Sequence, residues 1–224
     1  MKKAKLLSIK YVLFDFIRVT AWPGLLWFRP KKLYASEAAK KKIRGGALMI
    51  SNHIGLVDPM YLMLGIWYRR HHFIATKELF QNNFTRSLFT KAFLCIEIDR
   101  ENFGISTFKT IIEHLQAGEL VSMFPEGRVN TDKSGELQAF KEGMTLMAFK
   151  GGVPIIPVYI KKREHFYSRL VMAIGEPIEL KNFTAGEKAT LAEIAQATQY
   201  LHDQEVLLER LCTSKDKKNK ESEK

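Results

Sequence analysis

The chain has 224 residues, of which 46% are hydrophobic and 26% charged, and its formal net charge is +11. This composition excludes a predominantly disordered chain and is sufficient for one domain with an ordinary core. The only two cysteines, Cys95 and Cys212, exclude a disulfide framework and do not have zinc or redox spacing, so a reducing, cytoplasm-facing location is the simplest expectation.

The excess of positive charge is concentrated at the start of the chain. Residues 1–44 contain twelve lysines and arginines and two acids, a net charge of +10, whereas the remaining residues sum to +1. A basic appendage on a nearly neutral domain is typical of proteins that bind a polyanionic surface, either nucleic acid or the anionic cytoplasmic leaflet of a membrane.

The first predicted element is an amphipathic helix inside this basic segment. Its apolar face consists of Leu6, Ile9, Val12, Leu13, Phe16 and Ile17. Asp15 and Arg18 lie on the opposite face, and these charges exclude a transmembrane span or a signal peptide. Trp22, Trp27 and Phe28 follow and suit the depth of lipid headgroups. We therefore predict a helix in the membrane interface over 1–44.

Two other interpretations of this segment remain open. The same amphipathic pattern is expected of a helix that simply packs on the domain. Nucleic-acid binding is less well supported, because the aromatic residues lie in aliphatic runs and are not interleaved singly with arginine or lysine.

The rest of the chain alternates short apolar runs with helical stretches, a pattern that predicts an α/β fold with a central mixed, largely parallel sheet flanked by helices. Predicted strands are 47–50, 72–75, 95–98, 120–124, 155–160 and 170–174. Predicted helices are 59–68, 106–117, 141–150 and a long one within 185–211. We expect one domain over 45–212, followed by a disordered charged tail over 213–224 that has no apolar residue to pack.

The first motif with chemical potential runs from Ser51 to Pro59, between a predicted strand and a predicted helix. A regular helix would hold His53 and Asp58 about 140° apart, so the two side chains can meet only in a folded loop. There Asp58 would orient the imidazole and leave its other nitrogen as a base for a hydroxyl. In the alternative interpretation Asp58 only caps the next helix and His53 is an ordinary loop residue.

The second motif follows the predicted strand 120–124 and contains Glu126, Gly127 and Arg128. The arginine is placed to bind phosphate oxygens, and Glu126 to orient that arginine or contact a glycerol hydroxyl. An ordinary Pro-Glu-Gly turn is the alternative. Lys77 follows a predicted strand, and Lys141 is the first residue of a predicted helix. Both are further candidates for binding a phosphate, and an ordinary surface lysine is the alternative for each.

We expect no metal site, because no second nearby histidine, cysteine or carboxylate completes a ligand set around His53 in the local sequence. The other histidines that we considered are expected to be solvated or packing residues. They are His71, His72, His114, His165 and His202.

Together the two motifs resemble the first and third blocks of the glycerolipid acyltransferase family, and in particular its bacterial 1-acyl-sn-glycerol-3-phosphate acyltransferases. The blocks are Asn52-His53 through Asp58, and Phe124-Pro125-Glu126-Gly127. Two weaker blocks, 96–100 and 153–158, occur in the expected order, and the resemblance covers residues 47–161.

The resemblance implies a membrane-associated enzyme in phospholipid biosynthesis. It would transfer an acyl group from acyl-CoA or acyl-carrier protein to the sn-2 hydroxyl of 1-acylglycerol 3-phosphate, giving phosphatidic acid. The acyl donor is a substrate, and no cofactor is expected. It implies that His53 is the base and Asp58 its partner. It implies that Glu126 and Gly127 line the acceptor site and that Arg100 helps to hold the acceptor phosphate. Together with the candidates from the residues themselves, the predicted substrate-binding positions are Asn52, Arg100, Glu126, Gly127, Arg128, Lys77 and Lys141. It also implies peripheral or monotopic attachment to the cytoplasmic face of the membrane through residues 1–44, and no nucleic-acid partner.

The sequence departs from the family pattern at two places. Arg128 directly follows Gly127, where the family often reads Glu-Gly-Thr-Arg, and Val129 takes the usual arginine position. Leu94 stands where a glycine six residues before Arg100 is common. Acyl transfer to another lysophospholipid or lipid-like acceptor is therefore an alternative, as is a non-catalytic membrane-binding protein that tolerates loss of His53.

Overall fold

The computed structural model describes residues 9–20, 30–80, 82, 84, 93–99, 104–130, 137–163, 168–186 and 188–222. Several residues named above lie outside this part of the chain: Leu6, Trp22, Trp27, Phe28, Arg100 and His165.

The described residues form five α-helices and seven strands. In chain order they are α1 (Ile9–Thr20), β1 (Lys31–Tyr34), β2 (Ala47–Ser51), α2 (Asp58–Gly65), β3 (His71–Thr76), β4 (Ile96–Ile98), α3 (Ile105–Gln116), β5 (Leu120–Met123), α4 (Gly143–Gly151), β6 (Ile155–Ile160), β7 (Val171–Ile174) and α5 (Leu191–Ser222). Each of the six predicted strands corresponds to one of β2 to β7, and each predicted helix of the domain to one of α2 to α5.

The seven strands form a single sheet in the order β1-β7-β6-β2-β5-β3-β4. Neighbouring strands are parallel except for β6 and β7, which run antiparallel. The predicted α/β class with a mixed, largely parallel sheet is therefore confirmed. Because helices cover both faces, the central strands β2 and β6 are buried along their whole length, and they read as continuous apolar runs.

The core has two halves, one on each face of the sheet. Side chains alternate along β2, so that Leu48 and Ile50 pack with α3, α4 and the start of α5, whereas Ala47 and Met49 pack with α2. Both halves extend to the carboxyl ends of the central strands. The loops that leave those ends are thus anchored on well-packed strands.

The sequence analysis missed β1, which forms one edge of the sheet and pairs in parallel with β7. Only Leu33 of its four residues is buried, and two lysines precede it. A short, lysine-rich strand is typical of a sheet edge, where charge discourages further pairing, but it has no apolar alternation to signal a strand. The predicted domain boundary at residue 45 is therefore wrong, since the sheet already begins at Lys31.

The amino-terminal helix α1 packs on the domain through the face that carries its charges. Asp15 accepts hydrogen bonds from Arg70 and forms an ion pair with Arg18. Tyr11 and Phe14 are buried on the same side. The helix thus packs on the domain, but through the face opposite to the one that an ordinary amphipathic packing helix would bury. Among the described residues we find no helix with the length and hydrophobicity of a membrane span.

Three of the predicted apolar residues of α1 are exposed on its opposite face. Val12, Leu13 and Phe16 are 56%, 37% and 64% exposed, and Val19, which was not predicted there, is 66% exposed. An apolar face that points away from its own domain is unusual for a soluble surface and is typical of helices that contact lipid or a partner.

The long helix α5 continues to Ser222. This differs from the expected disordered tail over 213–224. The segment has few strong helix breakers, and its lysines and glutamate favour helix once the preceding turns are anchored by packing. The buried residues Leu208 and Cys212 provide that anchor against β7.

Leu94, the residue that replaces a common family glycine, adopts a left-handed backbone conformation with φ of 51°. The loop thus keeps the shape that a glycine would allow. Its side chain is buried against Tyr11 and Phe14 of α1. The departure from the family pattern therefore changes what packs on the loop and leaves the glycine-like conformation in place.

Candidate active site

The candidate active site lies at the carboxyl edge of the sheet, where three neighbouring parallel strands end. β2 continues into the loop that carries His53, and β5 continues into the loop that carries Glu126. β6 flanks β2 on the other side and ends at Ile160. Open α/β sheets bind ligands at this edge, because the loops after parallel strands converge there. The topology thus brings together two motifs that are 73 residues apart.

Asp58, the first residue of α2, holds the loop that precedes it. Its Oδ2 atom accepts hydrogen bonds from the main-chain N–H groups of Ile54 and Gly55 at 2.6 and 2.9 Å, and lies 2.8 Å from Nδ1 of His53. Its side chain is fully buried. The N-cap of α2 is Val57, which makes no side-chain cap hydrogen bond. The expected cap by Asp58 is therefore wrong, and its carboxylate is committed to the His53 loop.

The imidazole of His53 is held on two sides. One ring nitrogen faces Asp58, and the ring stacks on Phe124 with 4.0 Å between centroids and an interplanar angle of 13°. A carboxylate accepts hydrogen bonds and donates none, so Nδ1 carries a proton, and in a neutral imidazole Nε2 then has the lone pair. The side chain is 16% exposed. This arrangement presents an oriented ring nitrogen, Nε2, at a partly open position.

Glu126 joins the two loops. Its Oε1 atom accepts a hydrogen bond from the main-chain N–H of His53 at 3.1 Å, and Oε2 accepts one from the N–H of Gln138 at 3.4 Å. The side chain is only 5% exposed. Burial raises the pKa of the Glu126 carboxyl, while the two main-chain donors act in the opposite direction. Glu126, on the loop after β5, therefore fixes the backbone of His53, on the loop after the neighbouring strand β2.

Gly127 makes the turn that directs Glu126 inward. Its φ is 75°, a conformation that L side chains rarely adopt. A Cβ at this position would also lie 3.2 Å from Cε and Nζ of Lys141. Both the backbone conformation and the adjacent lysine side chain explain why glycine is needed at position 127.

Two predicted phosphate ligands lie beside this turn. The side chain of Lys141 lies against Gly127, and its main-chain N–H donates to the carbonyl of Pro125. Arg128 is exposed, and its Nε donates to Oε1 of Gln138 at 3.3 Å. The structure thus places two exposed cations on the loop that carries Glu126.

Asn52 differs from its predicted role in substrate binding. Its amide group donates to the carbonyl of Ile160 at 3.0 Å and accepts from the N–H of Ile160 at 2.7 Å. The side chain is 2% exposed. Since both ends of the amide are occupied by the backbone of β6, Asn52 fixes the start of the His53 loop and does not face a ligand.

The predicted role of Lys77 at a phosphate stays a prediction. Its ammonium group forms an ion pair with Asp99 at 2.8 Å, beside the neighbouring strands β3 and β4. Arg100, the next residue along the chain, lies outside the described residues.

Sequence reasoning missed three residues of this site. Phe124 provides the stacking surface for His53, Gln138 contacts Glu126 and Arg128, and the main-chain N–H of Asn130 donates to the carbonyl of His53 at 2.7 Å. Phe124 ends a predicted strand and belongs to the Phe124-Pro125-Glu126-Gly127 block, but neither feature indicates contact with His53. Nothing in the local sequence indicates the other two contacts. They depend on how the loop after β5 folds back over the loop after β2.

The chain matches the family model of acyltransferases over residues 32–161, more than half of its length. It is 33% identical to the 1-acyl-sn-glycerol-3-phosphate acyltransferase of Bacillus subtilis (strain 168) over 158 residues, 68% of this chain and 77% of the relative. A protein of the same name from Limnanthes douglasii is 32% identical over 136 residues, 58% of this chain and 45% of the relative. This chain therefore matches less than half of that second relative.

A solved structure has a similar fold. The crystal structure of the 1-acyl-sn-glycerophosphate (LPA) acyltransferase PlsC from Thermotoga maritima superposes with a TM-score of 0.62, covering 90% of this chain and 80% of that chain at 23% sequence identity. The matched region of the family model includes the loops after β2 and β5 that carry His53, Asp58 and Glu126.

Proposed function

The chain belongs to the acyltransferase family. We propose that it transfers a fatty acyl group from acyl-CoA or acyl-carrier protein to the sn-2 hydroxyl of 1-acylglycerol 3-phosphate, giving phosphatidic acid. The observation that carries this proposal is the 2.8 Å contact between Nδ1 of His53 and Oδ2 of Asp58 at the carboxyl edge of the sheet. The names of the relatives support the choice of acceptor.

In the proposed reaction His53 is the general base. Its Nε2 atom takes the proton of the acceptor hydroxyl while the hydroxyl oxygen attacks the thioester carbonyl. Asp58 keeps the proton on Nδ1 and stabilises the imidazolium that forms. The stack on Phe124 limits rotation of the ring. Both partners thus hold the base in the one orientation that the reaction needs.

The second half of the reaction returns the proton. The C–S bond of the tetrahedral intermediate breaks, the thiolate leaves, and the imidazolium of His53 donates its Nε2 proton to that sulfur. The products are the ester and the free thiol. The acceptor supplies the attacking oxygen, so the enzyme needs no nucleophile of its own and no cofactor. The cysteines agree with this assignment, because burial raises the pKa of Cys95 to about 12 and of Cys212 to about 11, which disfavours the thiolate.

We assign the acceptor phosphate to the loop after β5. Lys141 and Arg128 are exposed there and flank Gly127, and the guanidinium of Arg128 suits two phosphate oxygens. Glu126 lines the same position and holds the main-chain N–H of His53. The buried Glu126 carboxylate thus connects the proposed phosphate site to the His53 backbone. This connection favours a constant distance between the acceptor phosphate and Nε2 of His53.

We further propose that the protein binds the cytoplasmic face of an anionic membrane without spanning it. The outward apolar face of α1 supports this, as does the +10 charge of residues 1–44. Leu56, Val57 and Met60 are 83%, 46% and 50% exposed beside the His53 loop. Apolar residues at the mouth of the site suit an acceptor whose acyl chain stays in the bilayer.

The test is release of free thiol from palmitoyl-CoA and from acyl-carrier protein, with 1-acylglycerol 3-phosphate in mixed micelles. His53→Ala is expected to lower the acceptor-dependent rate by at least ~10²-fold. His202→Ala is the matched control for loss of a partly exposed imidazole, because the side chain of His202, on α5, is 23% exposed.

The possible outcomes separate the parts of the proposal. Activity that survives His53→Ala would refute the mechanism. If the folded wild-type protein releases thiol only with a lysophospholipid of another headgroup, 1-acylglycerol 3-phosphate is not the acceptor. The proposed acyl-transfer mechanism would still stand. The faster of the two donors identifies the acyl carrier.

A further inference from the structure

A cluster of two histidines and a glutamate lies at the opposite end of the sheet from His53. His72 is the second residue of β3, His114 belongs to α3, and Glu119 immediately precedes β5. Oε2 of Glu119 is 3.2 Å from Nε2 of His72 and also contacts Nδ1 of His114. The two imidazole rings are 4.6 Å apart between centroids. Three atoms that are typical metal ligands therefore converge on one point.

The distances between these atoms suit a small cation. One nitrogen from each imidazole and one carboxylate oxygen all lie within 4.8 Å of one another. A tetrahedral zinc ion binds such atoms at about 2.0–2.2 Å, and two histidines with one glutamate are an established three-residue ligand set. Imidazole ligands favour zinc, copper and nickel over magnesium or calcium. The chemistry of the set thus selects a transition metal.

The surroundings of the cluster provide support and access. The hydroxyl of Tyr11 donates to Oε1 of Glu119 at 3.1 Å, which leaves Oε2 directed at the histidines. Hydrogen bonds of this kind orient metal-binding carboxylates and increase metal affinity. A cavity of about 350 Å³ is lined by Tyr11, His72 and Glu119. It offers an entry route for an ion and room for water as a fourth ligand.

Positive charge near the cluster is already engaged. Arg69 and Arg70 line the same cavity. Arg70 binds Asp15, and the guanidinium of Arg69 donates to the carbonyls of Ile43, Gly45 and Gly118. Arg18 also lines the cavity, and Asp15 pairs with both Arg18 and Arg70, so that its carboxylate offsets one of these two charges.

We propose that His72, His114 and Glu119 form a structural binding site for one divalent transition-metal ion, with zinc the best match. The expected absence of a metal site was based on the sequence around His53, whereas these ligands come from three separate elements. The full length of β5 separates the cluster from the Glu126 loop, so the ion takes no part in acyl transfer. Because Tyr11 belongs to α1 and contacts Glu119, a bound ion would strengthen the attachment of that helix to the domain.

The experiment uses the full chain without a polyhistidine tag and titrates it with Zn²⁺ against a chromophoric chelator. Saturable binding of one Zn²⁺ per chain is expected, with no competition from excess Mg²⁺. His114→Asn and Glu119→Gln are expected to weaken binding by at least ~10-fold. His202→Asn is the matched control, since the His202 side chain is 23% exposed and that of His114 is 21% exposed.

Thermal unfolding provides a second measurement on the same proteins. Zn²⁺ should raise the Tm of the wild type and of His202→Asn, because an ion that binds only the folded chain stabilises it. The Tm of His114→Asn should not respond, and circular dichroism before heating verifies that this variant is folded. No saturable binding by the wild type, or equal affinity in the wild type and both cluster variants, would overturn the proposal.

Discussion

Leu94 packs against Phe14 of α1 while its own backbone holds φ at 51°. A left-handed conformation costs a residue with a Cβ atom roughly 1–2 kcal/mol relative to glycine. Burial of a leucine side chain contributes about 1.5–3 kcal/mol. The contact with α1 therefore offsets the strain, and this balance explains how leucine is accommodated at a position where a glycine-like turn is required.

Substitution of Leu94 separates the cost of the backbone strain from the contribution of side-chain burial. Leu94→Ala loses the packing and keeps the strain, whereas Leu94→Gly loses both. We therefore expect both variants to be less stable than the wild type, and the glycine variant to be more stable than the alanine variant by about 1 kcal/mol. Urea unfolding measures the difference. At Leu48, a fully buried β2 residue without a positive φ, the order should be reversed.

Asp58→Asn tests the charge next to the base. The N–H groups of Ile54 and Gly55 need an acceptor at the position of Oδ2, so the asparagine oxygen takes that place and still accepts from Nδ1 of His53. A neutral amide stabilises the imidazolium of the reaction less than a carboxylate does. We expect kcat to fall by at least ~10²-fold with little change in KM for the acceptor. Asp203→Asn on the exposed side of α5 is the control. A kcat close to that of the wild type would show that the charge of Asp58 does not assist the base.

Asn52→Ala tests the connection between β2 and β6. The substitution leaves the N–H and C=O groups of Ile160 without their side-chain partner in a buried position. Each such group costs about 1–3 kcal/mol. We expect a corresponding loss in the free energy of unfolding, measured in urea, and a lower kcat because the His53 loop begins at this residue. Asn182→Ala on the exposed surface should leave both unchanged.

Glu205→Gln tests a buried acid behind the site. Burial raises the pKa of the Glu205 carboxyl well above its ordinary value, repulsion from Glu126 raises it further, and the N–H of Asn52 lowers it. Between the unfolded and folded pKa values the folded protein binds more protons, so stability falls as the pH rises through the folded pKa. The glutamine variant lacks this titration.

The measurement for Glu205 is a series of urea unfolding curves from acidic to alkaline pH. The stability of the variant relative to the wild type should increase with pH. A parallel pH dependence of the two proteins would contradict the assignment. Glu193→Gln serves as the comparison of opposite sign, because hydrogen bonds from Thr190 and Ala185 lower the pKa of that exposed carboxyl.

Phe14 and Phe16 provide a matched pair on α1, one fully buried and the other 64% exposed. Phe16→Ser should weaken binding to phosphatidylglycerol vesicles by ~10-fold or more, since a buried phenylalanine contributes about 1.5–3 kcal/mol, and should leave the Tm unchanged. Phe14→Ala should lower the Tm. Phe16→Leu, which keeps an apolar side chain, should retain vesicle binding in a sedimentation assay. Equal binding by Phe16→Ser would exclude this face as the membrane contact.

Much of the fold was predictable because it depends on local patterns. Continuous apolar runs identified β2 to β7, since strands covered on both faces need apolar residues at every position. The pairing of His53 with Asp58 was also predictable, because the six residues 52–57 between the strand and the helix leave few ways to connect them. The strand β1 was not accessible, since an edge strand with one buried residue has no apolar alternation.

Patterns along the chain were enough to identify the candidate catalytic residues and to predict that they follow parallel strands. Only the tertiary structure decided which partners they meet: Asn52 with Ile160, 108 residues away, Glu126 with the N–H of His53, and Glu119 with His72 and His114. It also decided that the charged face of α1 turns inward to Arg70 and its apolar face outward. The physical reason is that local patterns encode burial and backbone conformation, whereas contacts between distant segments depend on strand order and on loop paths that no local pattern records.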